Sequence, residues 1–461
     1  MAIQSKNPTT EEVLKTFKEI TDGDLEKKVS NATDAFTSWK QTSFKERANL
    51  VRKLGTYLRT HTEEFSKLQM LEMGKTMKSG PQGIEKCASL CDYYADNAEA
   101  ILKNEVLHTD KAEQYVEFDP LGIVLAVMPW NFPFWQVYRF AIPAIMAGNV
   151  GLLKHASNVP QCAEAIEESF RVAGFPEGVF QNLLLPSAKV EKLIRDSRVA
   201  AVTLTGSEKA GSEVARISGE EIKKVVLELG GSDPFIVFAD ANIEKAATVA
   251  VAARLQNNTG QSCIAAKRFI VEENVKDKFA RKVIEEFAKL CVGDPANKET
   301  DIGPLATEQI LKEVEAQVEK SVSLGAKIAY GGARREGKGL PAQAGYFYMP
   351  TVLTGVRKGM PVYDEEVFGP VLPIISFKTE SEAIQIANDT RYGLGASIFT
   401  SDMEKARRII PQIEAGNVCV NDMIKSDPRA PFGGVKKSGY GRELGTYGIK
   451  EFVNIKNVWF G

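Results

Sequence analysis

The sequence predicts an α/β protein built on doubly wound, mostly parallel sheets, and three observations support that class. Apolar residues recur at helical spacing through the first hundred positions. From residue 121 to residue 231, short apolar runs alternate with amphipathic segments, and a second alternating set begins at "PFIVFA" (234–239). Strands that alternate with helices of this length are typical of βαβ units, whose crossover helices cover both faces of a parallel sheet.

The helical prediction for the amino-terminal region depends on two segments. Both "LEKKVSNATDAFTSWKQ" and "KERANLVRKLGTYLRTHTEEFSKLQMLEMG" repeat apolar residues at helical spacing, and the second is predicted as one helix that Gly74 ends. Further along, "GIVLAVMP" (122–129) is a short apolar run that predicts a buried strand ending at Pro129. This change of period marks the start of the first sheet.

Alternating elements continue beyond that strand. The expected strands are "VGLLK", "GVFQNLLL", "AAVTLT" and "KKVVLEL", and the expected helices are "FWQVYRFAIPAIMAG", "PQCAEAIEESFRVAG", "KVEKLIRDS" and "EKAGSEVARISG". The second set continues with the helix "NIEKAATVAVAARLQ", the strand "RFIVEE" and the helix "VKDKFARKVIEEFAKL". We expect residues 121–231 to form a doubly wound domain of the nucleotide-binding kind.

Two further segments stand apart from that alternation. The segment "GGARREGKGLPAQAG" (331–345) is predicted to be a Gly-rich surface connection, and it carries no phosphate motif. The end of the chain, "GIKEFVNIKNVWFG", predicts a strand with alternating apolar residues. Because such a strand is too apolar to remain a bare edge, we expect it to pair with a partner subunit. The alternative is pairing within the same chain.

Composition excludes several classes of function. The chain has 461 residues, of which 44% are hydrophobic and 26% charged, as in an ordinary globular protein of two or three domains. Lys and Arg (58) nearly balance Asp and Glu (60), so no basic excess indicates nucleic acid. The start is polar and no long apolar run occurs, so neither a secretory signal nor a membrane span is expected. The six cysteines are therefore expected to be reduced thiols in the cytoplasm.

Cys263 is the first candidate for chemistry. It stands in "NNTGQSCIAAKR" (257–268), directly after a tight Gly turn, and main-chain N–H groups near such a turn are expected to lower the pKa of the thiol. The alternative is a buried apolar cysteine, the commoner state of a free thiol. The three histidines, His61, His108 and His155, share no motif, so neither a metal site nor a Cys–His couple is expected.

Glu228, Asn131 and one strand-to-helix junction are the other candidates. Glu228 ends an apolar strand, where open α/β sheets bind ligands; the alternative is a solvated glutamate at a strand end. Asn131 lies between two prolines in "PWNFPFWQ", which makes its amide a rigid donor for an oxyanion, although it could serve only as a turn residue. The junction "LTGSEKAG" (204–211) offers free N–H groups to a phosphate, but it is neither GxGxxG nor a Walker loop.

Taken together, and in this order, these segments resemble the aldehyde dehydrogenase superfamily. The matching motifs are "PWNFP", "LLKHAS", "LTGS", "LELGG", "GQSC", "EEVFGPV" and "PFGGVKKSGYGRE", and with their flanking regions they cover essentially the whole chain. The resemblance implies a Rossmann-like cofactor domain (1–101 and 121–231) and an α/β catalytic domain (232–439). It also implies a small β oligomerisation arm (102–120 and 440–461) that assembles a homodimer or homotetramer.

The resemblance further implies the oxidation of an aldehyde to an acid with NAD or NADP. Cys263 would attack the carbonyl, Asn131 would hold the oxyanion, and Glu228 would activate water against the resulting thioester. The residues implied to bind the cofactor are Trp130, Lys154, Ser157, Gly206, Ser207, Leu229, Glu366 and Phe368. Because Ser157 replaces a glutamate that NAD-preferring relatives often carry, NADP is favoured, with NAD as the alternative.

Within the superfamily, the sequence is similar to the succinate-semialdehyde dehydrogenases. Arg139 and Ser426 match the residues that hold the substrate carboxylate in that group, and Lys425 is a third candidate. Asn257 departs from the pattern, because many members carry a second arginine there. The alternatives are a structural ion pair for Arg139, a different small or carboxylated aldehyde, a CoA-acylating enzyme, a cofactor-free cysteine hydrolase, and a non-catalytic protein on this fold.

Overall fold

Two large sheets, each covered by helices, organise the chain. The computed structural model describes residues 3–334 and 345–461, so most of the segment predicted as a Gly-rich connection lies outside the described residues. One apolar cluster surrounds the first sheet. Two clusters cover the opposite faces of the second sheet: Ile236 and Ile270 face one of them, and Phe235 and Phe269 face the other. The predicted α/β class is confirmed.

The first hundred residues form a hairpin and four helices. They are β1 (Ile3–Lys6), β2 (Val13–Phe17), α1 (Asp22–Trp39), α2 (Phe44–Thr60), α3 (Thr62–Met73) and α4 (Gly80–Ile101). The single helix predicted up to Gly74 is wrong, because the chain leaves helical geometry at His61 (φ −112°, ψ 19°) and begins α3 there. Gly74 does end α3, with a φ of 77° that favours glycine.

The first large sheet has six strands. Its region contains β3 (Glu105–Val106), β4 (Glu113–Pro120), β5 (Ile123–Met128), α5 (Pro133–Met146), β6 (Val150–His155), α6 (Pro160–Ala173), β7 (Phe180–Asn182), α7 (Val190–Ile194), β8 (Val199–Thr205), α8 (Glu208–Glu220) and β9 (Lys224–Glu228). Strands β9, β8, β5, β6 and β7 lie side by side in that order, and all are parallel. The strand order reverses between β5 and β8. Where the order of an open parallel sheet reverses, ligands bind at the carboxyl ends of the strands.

The second large sheet has seven strands. Its region contains β10 (Asp233–Val237), α9 (Ile243–Leu255), β11 (Ala266–Glu272), α10 (Lys276–Phe287), α11 (Glu308–Ser323), β12 (Lys327–Tyr330), β13 (Thr351–Thr354), α12 (Pro361–Asp364), β14 (Val371–Phe377), α13 (Glu380–Asn388), β15 (Tyr392–Gly393), β16 (Gly395–Phe399), α14 (Met403–Ile409) and β17 (Asn417–Val420). The order is β12, β13, β14, β11, β10, β16, β17, and only β12 runs antiparallel to its neighbour.

The end of the chain returns to the first sheet and then leaves it. The last elements are β18 (Val435–Lys436), β19 (Gly439–Tyr440), α15 (Gly445–Ile449) and β20 (Val453–Phe460). Strand β19 pairs antiparallel with β9, and β18 pairs with β15. Strand β20 pairs with β4 along its whole length, so the C-terminal strand pairs inside its own chain, and its other edge stays open in a three-stranded sheet. No helix within 3–334 and 345–461 is long and apolar enough to cross a bilayer.

Candidate active site

A strained turn positions Cys263. Between α9 and β11, Gln256, Asn257 and Thr259 have φ values of 48°, 52° and 54°, and Gly260 follows at 77°. Non-glycine residues rarely adopt this left-handed region, and a β-branched residue such as threonine does so least readily. The Thr259 hydroxyl donates to the carbonyl of Gly303 at 3.2 Å, which helps to hold the turn.

Cys263 lies in the wall of a cavity of about 490 Å³. The cavity wall includes Phe132, Trp135 and Arg139, together with Ser426 from the loop after β17. On the other side of Cys263, its carbonyl oxygen approaches Gly231 so closely that a Cβ atom there would lie 2.6 Å from it. A residue larger than glycine would push the two loops apart.

Burial dominates the ionisation of this thiol. It raises the pKa of Cys263 to about 12, while Arg139 and Lys267 oppose that shift and Glu228 and Glu366 add to it. The prediction that nearby main-chain N–H groups lower this pKa is therefore wrong. The sulfur lies in a turn among apolar groups, and removal of the thiolate from water outweighs the nearby cations.

Lys267 fixes the backbone around the sulfur. Its buried ammonium donates to the carbonyls of Ser262 and Cys263, both at 2.8 Å. It also pairs with Glu366 at 3.3 Å, and Glu366 accepts from the N–H of Gly231 at 3.0 Å. One cation thus ties the turn of Cys263 to the loop that follows Glu228.

Glu228 is a buried carboxyl group at the carboxyl end of β9. Neither of its oxygens has a hydrogen-bond partner among the described residues, and it is 2% exposed, which rules out the solvated alternative. Burial, and then the neighbouring Glu443, raise the pKa of Glu228 well above its usual range, while Arg139 and Arg442 oppose the shift. A carboxyl with a raised pKa holds a proton near neutrality and is a stronger base once it has lost it.

Arg139 reaches both the cavity and this carboxyl pair. Its guanidinium forms an ion pair with Glu443, and both side chains are buried. It also stacks over the ring of Phe432, with 4.8 Å between the guanidinium carbon and the ring centroid. The guanidinium is therefore already paired with a carboxylate from its own chain.

Asn131 is held beside the turn of Cys263. Its side-chain Nδ2 donates to the main-chain carbonyl of Gln261 at 3.0 Å. The main-chain carbonyl of Asn131 accepts from the side-chain amide of Asn258 at 2.7 Å. An amide nitrogen carries two hydrogens. One is used to fix the amide, and the second remains for an oxygen bound near the sulfur.

A second cavity, of about 420 Å³, lies at the carboxyl end of β6. Its wall includes Lys154, Ser157 and Ser187, and Lys154 donates to the Ser187 hydroxyl at 3.3 Å. Lys154 is buried, burial lowers its pKa, and no acid pairs with it in the described residues. Glu308 also borders the cavity, but it pairs with Lys312 at 2.6 Å. A cation beside two hydroxyls suits a phosphorylated ribose.

The other predicted cofactor residues are held by local contacts. Ser207 caps the N-terminus of α8 through its hydroxyl, which accepts from the N–H of Ala210 at 3.3 Å, and Gly206 precedes it. Leu229 is buried against Gly211 of α8. The rings of Trp130 and Phe368 meet edge to face, with centroids 6.0 Å apart.

Histidine does not take part in this site. His155 is buried and its Nε2 lies 3.0 Å from the carbonyl of Pro133, while burial lowers its pKa to about 4. The charged groups that act on Cys263 are an arginine, a lysine and two glutamates. The thiol therefore has carboxyl groups, rather than imidazole, as its nearby proton acceptors.

Comparison with known proteins identifies the family. The sequence model of the aldehyde dehydrogenase family matches residues 1–458. A protein of Synechocystis sp. named "Probable succinate-semialdehyde dehydrogenase [NADP(+)]" is 50% identical over 459 residues. The "Succinate-semialdehyde dehydrogenase [NADP(+)] 1" of Mycobacterium tuberculosis is 50% identical over 462 residues. Both alignments cover 100% of each chain. A crystal structure of succinic semialdehyde dehydrogenase from Streptococcus pyogenes with NADP+ superimposes with a TM-score of 0.96 at 37% identity, covering 100% of both chains.

The chain belongs to the aldehyde dehydrogenase family. The resemblance stated from the motifs is thereby confirmed, and so is the fold that it implies.

Several side chains of this aldehyde dehydrogenase site escaped the sequence argument. Glu443 stands inside a quoted motif and Lys267 beside the nucleophile, but only the fold brings them to Glu228 and Cys263. Two more, Lys75 and Lys86, line the Cys263 cavity from the chain segment before and within α4. Nothing in their local sequence distinguishes them from surface lysines.

The predicted substrate residues are only partly brought together. Ser426 is buried in the cavity and accepts from Lys86 at 2.7 Å. Lys425 is exposed at the rim and pairs with Asp422 at 3.3 Å. Asn257 is exposed, and its amide donates to Gln82 at 3.0 Å.

Proposed function

We propose that this aldehyde dehydrogenase oxidises succinate semialdehyde to succinate, with NADP+ as the preferred electron acceptor. The observation that carries the proposal is the cavity at Cys263, whose wall holds cations and a buried hydroxyl, Ser426. A wall of this kind suits an aldehyde that bears a carboxylate. The names of the relatives at 50% identity support the same substrate and cofactor.

The first step forms a bond between the Cys263 sulfur and the aldehyde carbon. The thiol proton leaves to water, and the carbonyl oxygen takes the charge of the broken π bond. That oxygen accepts from the free N–H of Asn131 and from the main-chain N–H of Cys263. Removal of one such donor typically slows acyl transfer by about 10²–10³-fold.

The second half of the reaction releases the acid. The chemistry that NADP+ would supply when bound is acceptance of the hydride of the thiohemiacetal carbon, and Cys263 would then hold the acyl group as a thioester. Glu228, as the carboxylate, takes a proton from a water that attacks the thioester carbon. The carbon–sulfur bond then breaks, the sulfur regains a proton, and succinate departs.

The residues around the second cavity fit the proposed cofactor. Lys154, Ser157 and Ser187 would hold the phosphorylated adenosine ribose, because this cavity offers uncharged hydroxyls and an ammonium that no acid pairs with in the part of the chain that the structure describes. Gly206 and Ser207 would lie along the pyrophosphate, and Leu229 beside them. Trp130, Glu366 and Phe368 would surround the nicotinamide end, close to Cys263.

The Ser157→Glu substitution is expected to reverse the cofactor preference. A carboxylate beside Lys154 would repel a 2′-phosphate and accept hydrogen bonds from both hydroxyls of an unphosphorylated ribose. We expect kcat/KM for NADP+ to fall by about 100-fold, since repulsion of like charges costs several kcal/mol. Steady-state kinetics with both cofactors measure this, and Ser157→Gln is the control of equal size without charge. An unchanged preference in Ser157→Glu would place 2′-phosphate recognition elsewhere.

A panel of aldehydes tests the function itself. Succinate semialdehyde and butanal are each offered with NADP+ and with NAD+, and reduced cofactor is followed by its near-ultraviolet absorbance. We expect the highest kcat/KM for succinate semialdehyde with NADP+. A preference for butanal would indicate another aldehyde, and ester hydrolysis without any reduced cofactor would indicate a cysteine hydrolase.

Assembly and location complete the proposal. We propose a homodimer or homotetramer built through the three-stranded sheet, where Ile455, Trp459 and Phe460 of β20 expose more than half of their surface and Val106 of β3 exposes 68%. Apolar side chains on an open edge strand favour association. We also propose a cytoplasmic enzyme, in keeping with six cysteines that are free thiols.

A further inference from the structure

Two lysines in the wall of the Cys263 cavity carry charges that no acid balances. Lys75 is 4% exposed and Lys86 is half-buried, and neither forms an ion pair within 3–334 or 345–461. Buried ammonium groups are normally paired, since removal of an unpaired charge from water costs much free energy. The cavity is therefore built to receive an anion.

The contacts of both ammonium groups are to neutral groups. Lys86 donates to the Ser426 hydroxyl at 2.7 Å and lies 4.2 Å from the centroid of the Trp135 ring. Lys75 donates to the main-chain carbonyl of Asn257 at 3.3 Å and lies 4.6 Å from the ring of Phe132. Such contacts orient a cation and leave its charge uncompensated.

The nearby acids are engaged with other cations. Asp427 accepts from Arg429 at 2.8 and 2.6 Å, and Glu85, which borders the cavity, accepts from Arg59. Burial, together with the charge of Lys86 on Lys75 and that of Arg139 on Lys86, lowers the pKa of each lysine to about 8, although Asp427 opposes the shift at Lys86. The field at this end of the cavity is positive.

Arg139 contributes less free charge than its position suggests. Its ion pair with the buried Glu443 offsets part of its charge, whereas neither lysine has an acidic partner within 3–334 or 345–461. Ser426 accepts the hydrogen bond from Lys86, so the hydrogen of its own hydroxyl remains free to donate to a second acceptor. Lys86 and Ser426 together thus present two donors to one anion.

We propose that Lys86, with Ser426, binds the carboxylate of the substrate, and that Lys75 supplies a second positive charge to the same cavity. This inference rests on the proposed function and deepens it, because it names the side chains that select a carboxylated aldehyde over a neutral one.

The Lys86→Met substitution tests the proposal, because methionine keeps length and apolar volume but removes the charge. We expect the ratio of kcat/KM for succinate semialdehyde to that for butanal to fall by about 30-fold or more, mostly through KM for the semialdehyde. Lys86→Arg should retain most of that ratio. The control is Lys78→Met. The Lys78 ammonium pairs with Asp301 at 2.7 Å and does not line the cavity, so its loss should leave the ratio unchanged.

Succinate, a dianion, provides a readout that does not depend on turnover of the semialdehyde. It should inhibit butanal oxidation by the parent enzyme and raise the Tm of that enzyme. For Lys86→Met, each effect should need a succinate concentration at least about 30-fold higher. Without succinate, the Tm of Lys86→Met should be equal to or above that of the parent, because an uncompensated buried charge has been removed.

Unchanged succinate inhibition in Lys86→Met, or equal losses on both aldehydes, would overturn the proposal, as would a large fall in Tm. A parent enzyme that prefers butanal would instead refute the proposed function, and the succinate measurements would still decide the role of Lys86. The two ideas can therefore fail separately.

Discussion

The Cys263→Ala substitution should reduce aldehyde oxidation by at least about 10⁴-fold, because loss of a nucleophile removes the covalent route altogether. The side chain is small and partly buried, so the folded state should survive the change. Reduced cofactor is measured with succinate semialdehyde, and cofactor binding is measured separately by the quenching of tryptophan fluorescence. We expect turnover to vanish while cofactor binding persists.

The matched control for Cys263→Ala is Cys291→Ala. Cys291 is also a free cysteine, but it is exposed and lies outside both cavities. Its substitution should leave turnover intact. If Cys263→Ala kept more than a few per cent of the activity, or if a trapped acyl adduct mapped to a peptide without residue 263, another nucleophile would have to be sought.

The parallel strands could be predicted because their physical signal is local. A strand that is covered on both faces needs a continuous apolar run, and β5, β6, β8 and β9 all have one. The hairpin of β1 and β2 has no such run, because most of β2 is exposed and its residues include lysine and threonine. The break between α2 and α3 was missed for a related reason: it occurs at a single histidine, without the glycine or proline that marks most helix ends.

Motifs indicated the proposed catalytic residues but not their electrostatics. Cys263, Glu228 and Asn131 are recognisable from their neighbours in sequence, whereas the pKa of a side chain depends on everything packed around it. The Gly turn before Cys263 suggested a lowered thiol pKa, yet the surrounding apolar groups raise it. Nothing near Glu228 in sequence shows that Glu443, 215 positions further along the chain, lies close enough to raise the pKa of Glu228.

The charges of the substrate cavity were the hardest feature to predict. Lys86 contacts Ser426 across 340 positions, and although the family resemblance indicated Ser426, nothing near Lys86 in sequence distinguishes it from a surface lysine. Arg139 was the obvious cation from its place in the motif, but its partner Glu443 comes from the far end of the chain. Which cation is free for a ligand is decided by tertiary pairing, and no short stretch of sequence contains that information.

The Glu228→Gln substitution should separate the two halves of the reaction. Glutamine keeps the shape of the side chain but cannot take a proton from water, so the thioester on Cys263 should form and then persist. We expect a burst of reduced cofactor equivalent to the active sites, followed by a steady state that is lower by about 10²–10⁴-fold. Stopped-flow absorbance measures the burst, and the mass of the intact protein measures the acyl group.

Stability should not complicate this experiment. Both carboxylate oxygens of Glu228 lack a hydrogen-bond partner in the described residues, and the neighbouring Glu443 repels a charge there, so a neutral amide should cost the fold little. The double variant Cys263→Ala/Glu228→Gln should show no burst, which ties the burst to the sulfur. A burst that falls in proportion to the steady state in Glu228→Gln would mean that this carboxyl acts before the thioester forms. The hydrolytic base would then be another group, and Glu443, buried beside Arg139, would be the first to test because its charge acts on Glu228.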